Sequence, residues 1–136
     1  MDESLIRSYL ETTYTTFNPR MEMVVGNINN ELNIYLKEIH QTHWAFITAE
    51  NPRSQSLSVK VNAIRNSTLE SYLIKNNLHY LKGAGIPKDK NWIPEKSFLI
   101  FGLNKTEAQQ MAITYDQNAF VCGEINKAAE LVYGYL

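Results

Sequence analysis

Leu5, Ile6, Tyr9, Leu10, Tyr14 and Phe17 recur at helical spacing, so Asp2 to Phe17 is expected to form an amphipathic helix. Asn18-Pro19 then stops it, because the residue before a proline is pushed out of the α region. Met21 to Val25 reads as a short strand, ended by Gly26 and the Asn27, Asn29, Asn30 cluster. Helix returns from Asn30 to His40, with Leu32, Leu36 and Ile39 on one face. Trp44 to Ala49 is apolar nearly throughout, the pattern of a central strand covered on both sides.

A turn-rich stretch, Glu50 to Ser56, leads into the longest expected helix, Leu57 to Asn76. Its Val61, Ile64, Leu69, Tyr72 and Leu73 can face a core. Leu78 to Leu81 is expected to be a strand, and Gly83, Gly85, Pro87 and Lys88 to Asn91 a loop or hairpin tip. Ser97 to Gly102 is the second strongly apolar strand. Asn104-Lys105-Thr106-Glu107 has the order of a capping box, opening a helix with Ala108, Met111, Ala112 and Tyr115 on one face. Phe120 to Cys122 and Leu131 to Tyr133 close the chain as two strands. The resulting order is α-β-α-β-α-β-β-α-β-β. It predicts one α/β (α+β) domain over residues 1–136, with helices layered on a mixed β-sheet in two or three layers.

Composition narrows the function without naming it. With 13 Lys+Arg against 14 Asp+Glu, the 136-residue chain has no broad field to draw it onto nucleic acid or an anionic membrane. The single Cys122 forms no internal disulfide framework, and no apolar run approaches the roughly 20 residues that span a bilayer. A soluble, cytoplasmic protein with no membrane partner is therefore expected. His40 and His43 lack further ligands at metal-binding spacing, so no metal site and no cofactor is expected.

Candidate chemistry concentrates between Thr48 and Asn66, where a buried strand runs through a polar loop into a helix N-terminus. Ligands of open α/β sheets sit just beyond the carboxyl ends of strands, and a helix start suits an anion. Asn51, Ser54, Asn62, Arg65 and Asn66 are candidate ligand-binding residues there. Ser54 and Ser56 are equally plausible helix caps, and Asn62 and Asn66 could form a solvated stripe. The fork of Arg65 suits a carboxylate or phosphate, or else a structural ion pair with Glu95. Glu95, beside Trp92 at the start of an apolar strand, is the candidate acid or base, its alternative being an ordinary edge carboxylate. Trp92 could stack on a ligand, and Gln117-Asn118 could read a polar edge or simply form a helix C-terminal turn.

The sequence Ala45-Phe46-Ile47-Thr48-Ala49-Glu50-Asn51-Pro52, followed by Ser54, Asn62 and Arg65-Asn66, resembles a bacterial and phage family, domain of unknown function 3293. The resemblance continues through Gly83, Gly85, Trp92, Pro94-Glu95, Ser97-Phe98-Leu99 and Gln117-Asn118-Ala119-Phe120-Val121. It covers residues 43 to 133, and more weakly Tyr14 and Val25-Gly26. It implies that Asn51, Ser54, Asn62, Arg65, Asn66, Glu95 and Gln117 are shared polar positions, and it implies no activity. The family's usual aromatic or apolar residue before Asn-Pro is Glu50 here.

The expectation is thus a domain that binds a small polar or anionic molecule, nucleotide-like ligands included. Arg65 would hold negative charge and Asn51 and Gln117 would read polar edges. One alternative is a hydrolase-type enzyme with Glu95 as general base. Another is a phage or mobile-element inhibitor module acting through a protein partner or a homo-oligomer.

Overall fold

The second half of the first expected helix already departs from expectation. The computed structural model describes residues 2–134, so residues 1, 135 and 136 of the expected domain lie outside it. Helix α1 spans only Glu3–Glu11, capped by Asp2, whose Oδ1 accepts from Leu5 N at 2.7 Å. The chain turns extended at Thr12, and Thr13–Phe17 is strand β1, not the end of a helix. The physical reason is Thr12-Thr13-Tyr14-Thr15-Thr16-Phe17, a run of β-branched and aromatic residues that favours a pleated surface. Strand β2, Arg20–Met23, pairs back on it across Asn18-Pro19.

The rest follows the expected order. Helix α2 is Asn30–Glu38, strand β3 His43–Ile47, helix α3 Val59–Lys75 and strand β4 Tyr80–Ile86. Then come β5 at Glu95–Phe101, α4 at Lys105–Thr114, β6 at Ala119–Glu124 and β7 at Glu130–Tyr133. Asn104 and Glu107 make both halves of the expected capping box at α4. Ser58 caps α3, accepting from Val61 N at 3.2 Å, in place of Ser54 or Ser56.

The fold is an α+β domain: seven strands form one sheet in the order β2-β1-β4-β5-β3-β6-β7. Every pairing is antiparallel, where a mixed sheet was expected. The connections from β3 to β4 and from β5 to β6 each step over one strand, so helices pack on the faces without any parallel pair. Past the outer strands, Gly26 N donates to Ala129 O (2.8 Å) and Ala129 N to Asn27 O (3.0 Å), which draws the two edges together. Among the described residues, no helix is long and apolar enough to cross a membrane.

Alternation along the central strands divides the core. Ala45, Ile47, Phe98 and Ile100 face Leu69 and Leu73 of α3 and Ala108, Met111 and Ala112 of α4. Trp44, Phe46, Leu99 and Phe101 face Leu32 and Leu36 of α2. The result is a sheet between two helical layers. Gly83 and Gly85 lie inside β4, where a loop was expected. A Cβ at Gly83 would stand 2.3 Å from Thr15 O and 3.2 Å from the Phe46 ring, so this strand position must be bare.

Helix α3 buries a different stripe from the expected one. Asn62, Asn66, Leu69 and Leu73 are inside, while Val61, Ile64 and Tyr72 are exposed. The buried positions still obey helical spacing; half of them carry amides.

Candidate functional site

At one end of the sheet, β3 finishes while β1, β5 and β6 begin, and the 48–58 connection crosses above them. This loop has little regular structure of its own, so its buried main-chain groups need side-chain partners. Asn66 accepts from Ala49 N (2.9 Å) and donates to Lys96 O (2.9 Å) and Glu50 Oε2 (3.2 Å). One turn earlier, Asn62 accepts from Asn51 N (2.9 Å) and donates to Asn51 Oδ1 (2.8 Å). Two buried asparagines therefore clamp the start of the loop to α3.

Arg65, between them, donates from Nε to Ala49 O (2.6 Å) and from a terminal nitrogen to Tyr115 O (2.8 Å). Buried Gln117 donates to Glu50 O (3.0 Å) and Tyr115 O (3.2 Å). The guanidinium therefore ties the 48–58 loop to the turn after α4. Among the described residues it forms no ion pair with Glu95, and both of these bonds go to main-chain carbonyls. Asn62, Arg65, Asn66 and Gln117 form a scaffold of charge-assisted and amide bonds.

That scaffold holds an unusual backbone. Asn51 (φ 48°), Arg53 (φ 53°) and Ser54 (φ 61°) all lie in the left-handed region within four residues, and Asp116 (φ 58°), whose carbonyl accepts from Arg53 N, joins them. Non-glycine residues there cost about 1–2 kcal/mol each, and such strain concentrates where surroundings over-determine a functional geometry. Its product is the placement of two side chains. Asn51 Oδ1 accepts from Leu57 N (3.0 Å), leaving Nδ2 to donate to Glu95 Oε2 (2.8 Å). Ser54 Oγ accepts from Asn118 Nδ2 at 2.9 Å.

Glu95 is the centre of the arrangement. Among the described residues no ion pair involves it. Burial pushes its carboxyl above the usual range, opposed by the Asn51 hydrogen bond. Glu50 is also raised, first by burial and then by the Glu95 charge beside it. Two residues not foreseen as site members complete the cluster. The Tyr9 hydroxyl faces the Ser54 side chain and the Ala119 backbone with Glu95 nearby, and burial pushes it to about 12. Tyr14, buried and raised chiefly by burial, donates its hydroxyl to Tyr9 O at 2.8 Å. In the sequence Tyr9 is indistinguishable from an apolar-face residue of α1. Glu50 was visible as the first residue of the turn-rich stretch and as the charge standing where the family usually has an aromatic or apolar residue.

Among the described residues, no cluster of three metal-ligating side chains forms. Trp92 stands apart, 68% exposed in the β4–β5 loop, with Ile93 80% exposed beside it. A hollow of about 400 Å³ lies along the outer face of α3, against Lys60, Ile64, Ser67 and Ser71, and does not reach Glu95.

The residues that build this site run from the end of β3 to the start of β6. A family model described as protein of unknown function (DUF3293) matches residues 47–120, more than half of the chain. The chain belongs to the DUF3293 family. No curated protein and no solved structure matches it. Within the DUF3293 match lie both the clamp (Asn62, Arg65, Asn66, Gln117) and what it clamps (Asn51, Ser54, Glu95). Tyr9 and Tyr14 lie outside the match.

Proposed function

We propose that this DUF3293 chain binds a small polar molecule at the Glu95–Asn51–Ser54 cluster, and that Glu95 is the recognising group. The observation that carries this reading is a mostly buried carboxyl with no ion pair among the described residues, held by a neutral amide of a strained loop. A carboxyl held in that way has a strong demand for a hydrogen-bond donor or a positive charge, which a ligand can satisfy. The ligand is therefore a donor or a cation where it meets Glu95. An anion held by Arg65 has no support, because its guanidinium bonds to the carbonyl oxygens of Ala49 and Tyr115.

Native mass spectrometry, on protein incubated with a concentrated small-molecule extract of cells, tests this. The wild type should carry an added mass of a few hundred daltons that Glu95→Gln lacks. Equal loading of both proteins, or of neither, contradicts the reading.

A second reading is favoured by the raised Glu95 alone: the same carboxyl serves as a general base for hydrolysis, with the Asn51 amide orienting it. It requires that the ligand found in that experiment be converted by the wild type and only bound by a variant of unaltered affinity.

A further inference from the structure

We infer that α1 is a displaceable plug and that Tyr9 stands in for the ligand, so that the Glu95 site takes a small ring bearing a hydroxyl, a phenol or its close chemical kin. The role of Glu95 in this inference rests on the ligand-binding reading above; the role of α1 does not.

Three observations converge on it. Register first places Tyr14, Gly85 and Glu95 in one cross-strand row on β1, β4 and β5. Gly85 sends no side chain into that row. A Cβ there would meet Thr12 Cγ2 at 3.5 Å and the Tyr14 ring at 3.8 Å, so the residues leading out of α1 cover the gap beside Glu95. Second, Tyr9, one helical turn before Thr12, has its carbonyl bonded by the Tyr14 hydroxyl at 2.8 Å, and the groups acting on its own hydroxyl are Ser54, the Ala119 backbone and Glu95. The polar groups that the scaffold positions so carefully are thus met by a phenol of the chain itself.

Third, none of the nine residues of α1 is fully buried, whereas every other helix of eight or more residues has some that are. Its first turn is closed by its own Asp2, and its main chain is tied to the sheet through a side chain, the Tyr14 hydroxyl on Tyr9 O. An isolated helix this short is marginal in water, so α1 has little holding it beyond Tyr9 and the half-buried Leu5 and Ile6. Segments with few buried contacts open far more readily than the core they rest on.

4-Methylphenol has the ring and hydroxyl of the tyrosine side chain and is the probe. Tyr9→Gly vacates the space beside Ser54 and Ala119, so it should bind 4-methylphenol at least tenfold more tightly than the wild type in calorimetric titration. Equal affinity, or no binding by a variant with the wild-type amide spectrum, overturns the plug. Should Tyr9→Gly not fold, amide exchange of the wild type decides. The α1 amides should exchange at least 100-fold faster than those of Leu69 to Leu73, and faster again with 4-methylphenol in excess. Protection of α1 equal to that of α3 overturns the inference. The double variant Tyr9→Gly, Glu95→Gln separates the two proposals: affinity for the phenol equal to that of Tyr9→Gly leaves the plug standing and removes Glu95 as its recogniser.

Discussion

Asn66 makes three hydrogen bonds from 8% exposure, and Ala49 N, which it accepts from, has no solvent to turn to. Removing one partner of a buried bond costs more than the bond contributes, about 1–3 kcal/mol for the orphaned group. Asn66→Ala is therefore expected to lower stability by about 2–4 kcal/mol in urea denaturation, against less than about 0.5 kcal/mol for exposed Ser67→Ala on the same helix. Thr15 is the opposite case. It is 1% exposed and its Oγ1 has no hydrogen-bond partner among the described residues. Thr15→Val keeps the shape and removes the buried hydroxyl, so it should stabilise by about 1 kcal/mol, read as a higher urea midpoint at unchanged slope. For Glu95 the sign follows from linkage. Its folded-state pKa is raised, so folding retains a proton that the unfolded chain releases. That contribution is fully present below the unfolded value of about 4.3 and is lost as pH rises through the folded value. Glu95→Gln should hence be more stable than the wild type at pH 7, with the difference disappearing below pH of about 4. A variant less stable at pH 7 than at pH 4, relative to wild type, would show that the carboxylate is satisfied after all.

Elements were legible where local chemistry and burial agree. The Asn104–Glu107 box, the two apolar strands β3 and β5, and the helix over 59–75 could all be read from spacing and caps. The misread elements share one cause. Tyr14 and Phe17 fit helical spacing from Leu10, but in the strand they fall on opposite faces, Tyr14 buried and Phe17 exposed, and the β-branched Thr residues around Tyr14 are what favour the strand. Gly83 and Gly85 look like loop punctuation because the requirement they meet comes from elsewhere, in Thr15 and the Phe46 ring. The same holds for the site. Asn62, Asn66 and Arg65 were identifiable as special, but their targets are main-chain atoms of distant segments, which spacing along one helix cannot show. Gly83→Ala tests the element-scale reading. Its Cβ must push against backbone, so the variant should lose several kcal/mol of the roughly 5–15 kcal/mol a domain of this size has, visible as a large fall in Tm. Gly85→Ala meets only ordinary contacts, and should cost much less.

At the scale of the molecule, the sheet supplies a rigid end, and α3 and α4 grip a strained loop over it. The division of labour between Glu95 and Arg65 is the central claim. Glu95 is the proposed ligand-recognising group; Arg65 holds the loop by bonds to Ala49 O and Tyr115 O. Comparing Glu95→Gln with Arg65→Gln, for both ligand retention and unfolding free energy, tests that division most directly. Glu95→Gln should lose the ligand while gaining stability at pH 7. Arg65→Gln should lose about 2–4 kcal/mol, since two charge-assisted bonds to carbonyls go, and should still carry ligand at temperatures where it remains folded. Ligand lost from Arg65→Gln at full stability, and kept by Glu95→Gln, would contradict the account.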